Sequence, residues 1–69
     1  MTILLLRQEL ESRLKGFRYA AYELRRTEND TNVCIDTADG EYVLQFIDPV
    51  PEADLPGLEL LLSRYGEKQ

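Results

Sequence analysis

Three carboxylates lie close together in the stretch IDTADGEY, residues 35–42. They are Asp36, Asp39 and Glu41. A calcium loop of the EF-hand kind requires oxygen ligands at its first, third and fifth positions, a glycine at the sixth and a glutamate at the twelfth. If Gly40 is taken as the sixth position, the first is Ile35 and the twelfth is Phe46. The stretch therefore predicts an acidic hairpin turn and no metal site.

The residue types that most often carry out catalysis are scarce in this chain. It contains no histidine, which excludes histidine-dependent nucleophiles, general bases and metal ligands. Its one cysteine, Cys34, lies between Val33 and Ile35 and is predicted to be a small apolar strand residue. A catalytic carboxylic acid needs a pKa shifted by burial or by a close charge, and the pattern around Asp36 and Glu41 provides neither. We therefore expect no enzymatic activity and no cofactor.

Three strands are predicted to position these carboxylates, within residues 17–26, 31–37 and 41–48, because apolar and polar residues alternate there. An Asp39-Gly40 loop between the last two strands would place Ile35 opposite Leu44. A loop at residues 27–30 would join the first two. The predicted core face is Ala20, Tyr22, Leu24, Val33, Ile35, Tyr42, Leu44 and Phe46. The other face is expected to show Ala21, Glu23, Arg25, Cys34, Asp36, Glu41, Val43 and Gln45.

Two helices are predicted to flank the strands. The first covers residues 2–15, where Ile3, Leu6, Leu10 and Leu14 recur at three- and four-residue steps. The second begins after a proline-rich link, with Asp54 as its cap, and ends at Gly66. The sequence thus predicts a single α+β domain, residues 1–69, of two layers in the order αβββα. It consists of a three-stranded antiparallel meander with both helices on one face.

Charge is distributed unevenly along the chain, whose formal net charge is −5. Residues 1–27 hold six basic and three acidic residues, whereas residues 28–69 hold two basic and ten acidic residues. Alternate residues on one strand face are about 6.6 Å apart, a workable spacing for a row of anions that imitates phosphates. The candidate partner-binding residues are Asp36, Asp39, Glu41, Asp48 and Glu52, with Glu28 and Asp30 on the neighbouring loop.

In size and charge the whole chain resembles the small acidic phage-encoded inhibitors of bacterial defence, notably the anti-CRISPR proteins. This resemblance implies a non-enzymatic inhibitor that presents an acidic surface to a nucleic-acid-binding site of a larger protein or nucleoprotein complex. Direct binding to nucleic acid is not expected. No signal peptide or membrane span is apparent, which favours a soluble protein of the cytoplasm, and of the host cytoplasm if it is phage-encoded.

An alternative function belongs to a different class. The chain would then be a small regulatory or dimerising adaptor that uses the open sheet face or its leucine stripes, with a basic patch in its first third. That patch would consist of Arg13, Lys15, Arg18, Arg25 and Arg26. The number of leucines exceeds what one thin core needs, which favours a homodimer under either function.

Overall fold

A mixed four-stranded sheet forms the centre of the fold in the computed structural model, which describes residues 1–66; residues 67–69 of the predicted domain lie outside that description. The elements are β1 (Thr2–Leu5), a 3₁₀ turn (Arg7–Glu9), α1 (Leu10–Leu14), β2 (Tyr19–Arg26), β3 (Thr31–Thr37), β4 (Gly40–Phe46), a second 3₁₀ turn (Glu52–Asp54) and α2 (Leu55–Tyr65). The strand order is β1-β4-β3-β2, with β1 parallel to β4 and the other pairs antiparallel. The α+β class is confirmed, but the strand count and the order αβββα are wrong.

The difference lies in the predicted first helix, residues 2–15. Its first part is β1, which pairs with β4 from Thr2 opposite Val43 to Leu5 opposite Phe46. The run of apolar residues fits a helical stripe and a buried strand equally well, and pairing with β4 decides between them. Helical structure begins only after Leu6, whose N–H donates to the Glu9 carboxylate at 2.7 Å.

The β2–β3 pairing is as predicted, with Leu24 opposite Val33. In the β3–β4 hairpin the register differs from the prediction by two residues: Val33 faces Leu44, and the loop is Ala38-Asp39. Gly40 has a φ of +122°, a conformation that side chains disfavour, so the glycine ends the turn and does not occupy its centre. A shift of two residues leaves every side chain on its predicted face.

A bulge in β2 changes one part of the predicted core. Tyr19 faces Thr37 and Ala21 faces Asp36, so Ala20 is an extra residue without an opposite partner. As a result Tyr19 is buried with 1% of its surface exposed, whereas Ala20 is exposed and Tyr22 retains 42% exposure. The predicted core position of Ala20 is therefore wrong, whereas Tyr22 lies on its predicted face, opposite Ile35, but is exposed.

Both helices pack on one face of the sheet, as predicted. Leu10 and Leu14 of α1 and Leu58 and Leu62 of α2 are buried in the same cluster as Leu44. Two hydrogen bonds help to hold this layer. The Tyr19 hydroxyl donates to the Leu62 carbonyl at 2.9 Å, and the Tyr65 hydroxyl donates to the Glu11 carboxylate at 2.6 Å.

The second helix begins and ends close to the predicted positions, with Gly66 as its C-terminal cap. Asp54 precedes the helix but makes no side-chain capping bond; its carboxylate forms an ion pair with Arg7 instead. Neither this helix nor α1 is long and apolar enough to cross a membrane, within residues 1–66.

Candidate functional site

The sheet face opposite the helices is uncovered within the described part of the chain. Strand alternation places on it the predicted set: Ala21, Glu23, Arg25, Cys34, Asp36, Glu41, Val43 and Gln45. Leu4 of β1 joins this open face next to Gln45 and is 63% exposed. Because no helix packs here, charged side chains on this face remain in water, where they can meet a partner.

Three of the predicted acidic residues lie at one end of the open face and are called here the hairpin-end group: Asp36, Asp39 and Glu41. Asp36 and Glu41 are directly opposite one another on β3 and β4, so their Cβ atoms are separated by about 4.5–5.5 Å. Asp39 is on the connecting turn, and all three are exposed. The turn is fixed by the Thr37 hydroxyl, which accepts from the Asp39 N–H at 3.1 Å and donates to the Gly40 carbonyl at 2.9 Å.

No arginine or lysine among residues 1–66 forms an ion pair with the hairpin-end group. The nearest arginine on the open face, Arg25, bonds Glu23 at 3.0 Å. The pKa of Arg25 is raised, first by its hydrogen bond to Glu23 and, more weakly, by the charge of Glu41. The amino group of Met1 lies 3.1 Å from the Glu41 backbone carbonyl. The carboxylates of the group are thus left without a direct cationic partner in this region.

Cys34 lies between Glu23 of β2 and Val43 of β4 on the open face. Its side chain is buried although it lies on the open face, because Glu23 and Val43 flank it on the adjacent strands. Burial raises the pKa of the Cys34 thiol; Glu41, Glu23 and Asp36 raise it further, while Arg25 acts against them. Glu23, which lies opposite Cys34 and is paired with Arg25, is thus an open-face carboxylate near the hairpin-end group that was not among the predicted site residues.

The other four predicted residues lie at the opposite end of the sheet and are called the loop-end group: Glu28, Asp30, Asp48 and Glu52. Six rises of about 3.3 Å along β4, from Gly40 to Phe46, separate the two ends by about 20 Å. Asp30 closes the β2–β3 turn through its backbone and the Thr27 hydroxyl, and accepts a hydrogen bond from Gln45 at 3.4 Å. Glu52 forms an ion pair with Arg26 at 3.6 Å.

The seven predicted residues therefore form two separate groups, not one continuous surface. The hairpin-end group is exposed and unpaired within residues 1–66, whereas two loop-end members are engaged with neighbouring side chains. The division follows from topology, because the two turns of an antiparallel meander lie at opposite ends of the sheet.

The arrangement offers recognition chemistry. The hairpin-end carboxylates are exposed, so the cations of a partner can reach them. Across residues 1–66, no three acidic or cysteine side chains converge in a way that could hold a metal ion. A shallow pocket lined by Glu9, Ser12, Arg13, Gly16 and Phe17 lies beside α1, and all its polar side chains are exposed.

Comparison of the chain with models of protein families, with curated proteins and with solved structures finds no match in any of the three.

Proposed function

We propose that this chain is a non-enzymatic inhibitor or interaction protein that presents its hairpin-end group to a basic, nucleic-acid-binding site of a larger protein or nucleoprotein complex. The supporting observation is that Asp36 and Glu41 face each other on an uncovered sheet face, with Asp39 beside them and no ion pair within residues 1–66. Like charges directly opposite one another destabilise a sheet, so a partner that supplies cations there gains affinity by relieving the repulsion.

Size limits what the acidic surface imitates. The longest dimension of the molecule is 31 Å, and duplex DNA of that length carries about 18 phosphate charges, at one per about 1.7 Å. The hairpin-end group brings three carboxylates to one surface, because the neighbouring Glu23 is already paired with Arg25. Such a surface replaces a short run of phosphates and not a full duplex face, in the manner of an anti-CRISPR protein that occupies part of a DNA channel.

The fixed geometry of the β3–β4 turn reduces the conformational entropy that is lost when a partner binds. The Thr37 hydroxyl accepts from the Asp39 N–H and donates to the Gly40 carbonyl, and β3 and β4 are paired up to the turn. A preorganised surface loses less conformational freedom on association than a mobile loop does. The proposed place of action is the cytoplasm, and the proposed target is the protein that binds the nucleic acid, not the nucleic acid itself.

The experiment uses immobilised protein to capture partners from a bacterial lysate, with mass spectrometry as readout. Wild type is compared with a hairpin-end variant, in which Asp36, Asp39 and Glu41 are each changed to Lys. A matched loop-end variant carries Glu28→Lys, Asp48→Lys and Glu52→Lys, so the change in net charge is identical. We expect wild type and the loop-end variant to capture the same nucleic-acid-binding proteins and the hairpin-end variant to lose them.

Two further conditions make the outcome decisive. Duplex DNA added as a competitor should release the captured proteins, and raised salt should weaken capture steeply, because exposed charges are screened. Circular dichroism checks that both variants remain folded. Undiminished capture by the folded hairpin-end variant would refute the proposal. Capture that resists high salt would instead indicate the adaptor function, with an apolar contact through exposed residues such as Leu4 and Ile47.

A further inference from the structure

The free edge of β2 is a second surface at which two copies of the chain could associate. β2 is the last strand in the sheet order and, among residues 1–66, pairs with β3 alone. It is eight residues long, and of its apolar side chains Tyr22 is exposed and Leu24 is half-buried. A long, partly apolar edge strand is a template for pairing with another chain.

The hydrogen-bond phase of β2 follows from its turn. The Thr27 N–H donates to the Asp30 carbonyl at 2.9 Å, so these two residues form a hydrogen-bonded pair at the end of the ladder. Such pairs alternate with non-bonded pairs along an antiparallel ladder, which makes Arg25 and Glu23 the next residues bonded to β3. The N–H and C=O groups of the alternate residues, Tyr22, Leu24 and Arg26, therefore point outward along the free edge.

We propose that this edge pairs with β2 of a second copy, antiparallel, with the two-fold axis at Leu24. Leu24 then lies opposite Leu24 of the second copy, and Tyr22 lies opposite Arg26. Glu23 lies opposite Arg25 at both symmetry-related positions, so each carboxylate gains a second arginine beside the one that it bonds within its own chain. Tyr22, Leu24 and Arg26 exchange the new backbone hydrogen bonds. The Glu23–Arg25 pairs occupy the non-bonded sites, where side chains on adjacent strands approach most closely.

Charge complementarity selects this register. If the register moved by one residue, a residue whose N–H and C=O point outward would lie opposite one whose N–H and C=O point toward β3, and the two could not bond. The next possible registers are therefore displaced by two residues in either direction. One of these places Glu23 opposite Glu23, and the other places Arg25 opposite Arg25. The register centred on Leu24 is the one in which both charges meet opposite charges, and it sets Arg26 beside the ring of Tyr22, a favourable arrangement for a cation.

The experiment measures the mass of the purified chain by sedimentation equilibrium at protein concentrations up to about 1 mM, the weak end of specific association. The chain has a mass of 8.0 kDa, and wild type is expected to reach twice that value. Glu23→Arg alone and Arg25→Glu alone each create like-charge pairs across the two-fold axis and should weaken dimerisation by about tenfold or more.

Charge exchange separates pairing from misfolding. The double variant Glu23→Arg with Arg25→Glu should dimerise again, and an equimolar mixture of the two single variants should form a heterodimer. Glu59→Arg changes an exposed residue of α2 and alters the net charge by the same amount as Glu23→Arg. It should dimerise like wild type. A wild-type chain that stays monomeric throughout the range, or a dimer that single reversals leave unaffected, would overturn the proposal.

Discussion

The two faces of the sheet differ in what they contribute. On the helix side, Val33, Ile35 and Leu44 have no exposed surface and pack under both helices. On the open side, Asp36 and Glu41 alternate with these residues along the same strands and remain in water. Because neighbouring residues of a strand point to opposite faces, the open side can carry repelling charges while the helix side stabilises the fold. The stability of the fold therefore depends mainly on the helix side, whereas the proposed recognition depends on the open side.

The largest effect should come from the helix side. Leu44→Ala leaves a cavity in the core and should lower the free energy of unfolding by about 2–5 kcal/mol. A core of this size rarely supplies more than about 3–5 kcal/mol in total, so the loss is comparable to the whole stability of the domain. Leu4→Ala on the open face is the matched control and should change stability by about 0.5 kcal/mol or less. Urea denaturation followed by circular dichroism measures both, and equal losses would contradict the division between the faces.

An intermediate effect is expected at Tyr19, whose hydroxyl bonds the Leu62 carbonyl beneath the sheet. Tyr19→Phe removes that hydrogen bond and should lower the free energy of unfolding by about 1 kcal/mol. Burial, with a smaller contribution from Tyr22, raises the pKa of Tyr19 to about 12. The unfolded chain therefore ionises first, and stability should fall as pH rises from 10 through about 12. In urea titrations Tyr19→Phe should reduce that slope; an unchanged slope would show that other groups cause it.

The smallest effect has the opposite sign. Asp36→Asn removes one charge of the repelling pair with Glu41 and should raise the free energy of unfolding by about 0.2–1 kcal/mol. Glu41→Gln should give a similar gain, and the double variant should gain less than the sum of the two. The same variants should weaken partner capture, which is how a surface kept for recognition behaves. A loss of stability in Asp36→Asn would mean that its carboxylate stabilises the fold.

The sequence predicted α2, the β2–β3 pairing and the separation of the faces, because each follows from local periodicity. It did not predict β1, since the four residues of that strand are paired with β4, about forty positions further along the chain. An apolar run of that length has no local signal that distinguishes a strand from the start of a helix. Long-range pairing decided its structure.

Two smaller differences between the prediction and the structure concern the position of the β3–β4 loop and one inserted residue in β2. The hairpin loop was predicted from the Asp39-Gly40 dipeptide, but Gly40 has the positive φ one position later in the turn, and the register changes by two. The bulge at Ala20 moves Tyr19 into the core. Neither Ala20 nor its neighbours carry a sequence signal for a bulge. The Asp-Gly dipeptide is a strong signal for a hairpin turn, but it does not determine which two residues form the loop.

For the candidate site, the sequence predicted which carboxylates would be exposed but not how they would be grouped. Asp36 and Glu41 were expected to share a face, and they do. Glu28 and Asp48 belong to the same acidic part of the sequence, yet they lie at the opposite end of the sheet. Composition counts charges, whereas only the path of the chain determines which of them meet.

The parallel pairing of β1 with β4 also constrains how the chain folds. The strands of the meander from Tyr19 to Phe46 are joined by short turns and can pair locally. The strand Thr2–Leu5, in contrast, pairs only with β4 and can join the sheet only once β4 has formed. Closing a loop of that length is slow compared with forming a hairpin. We therefore expect β1 to dock after the meander has formed, and until it docks the backbone N–H and C=O groups on that edge of β4 have no strand partner.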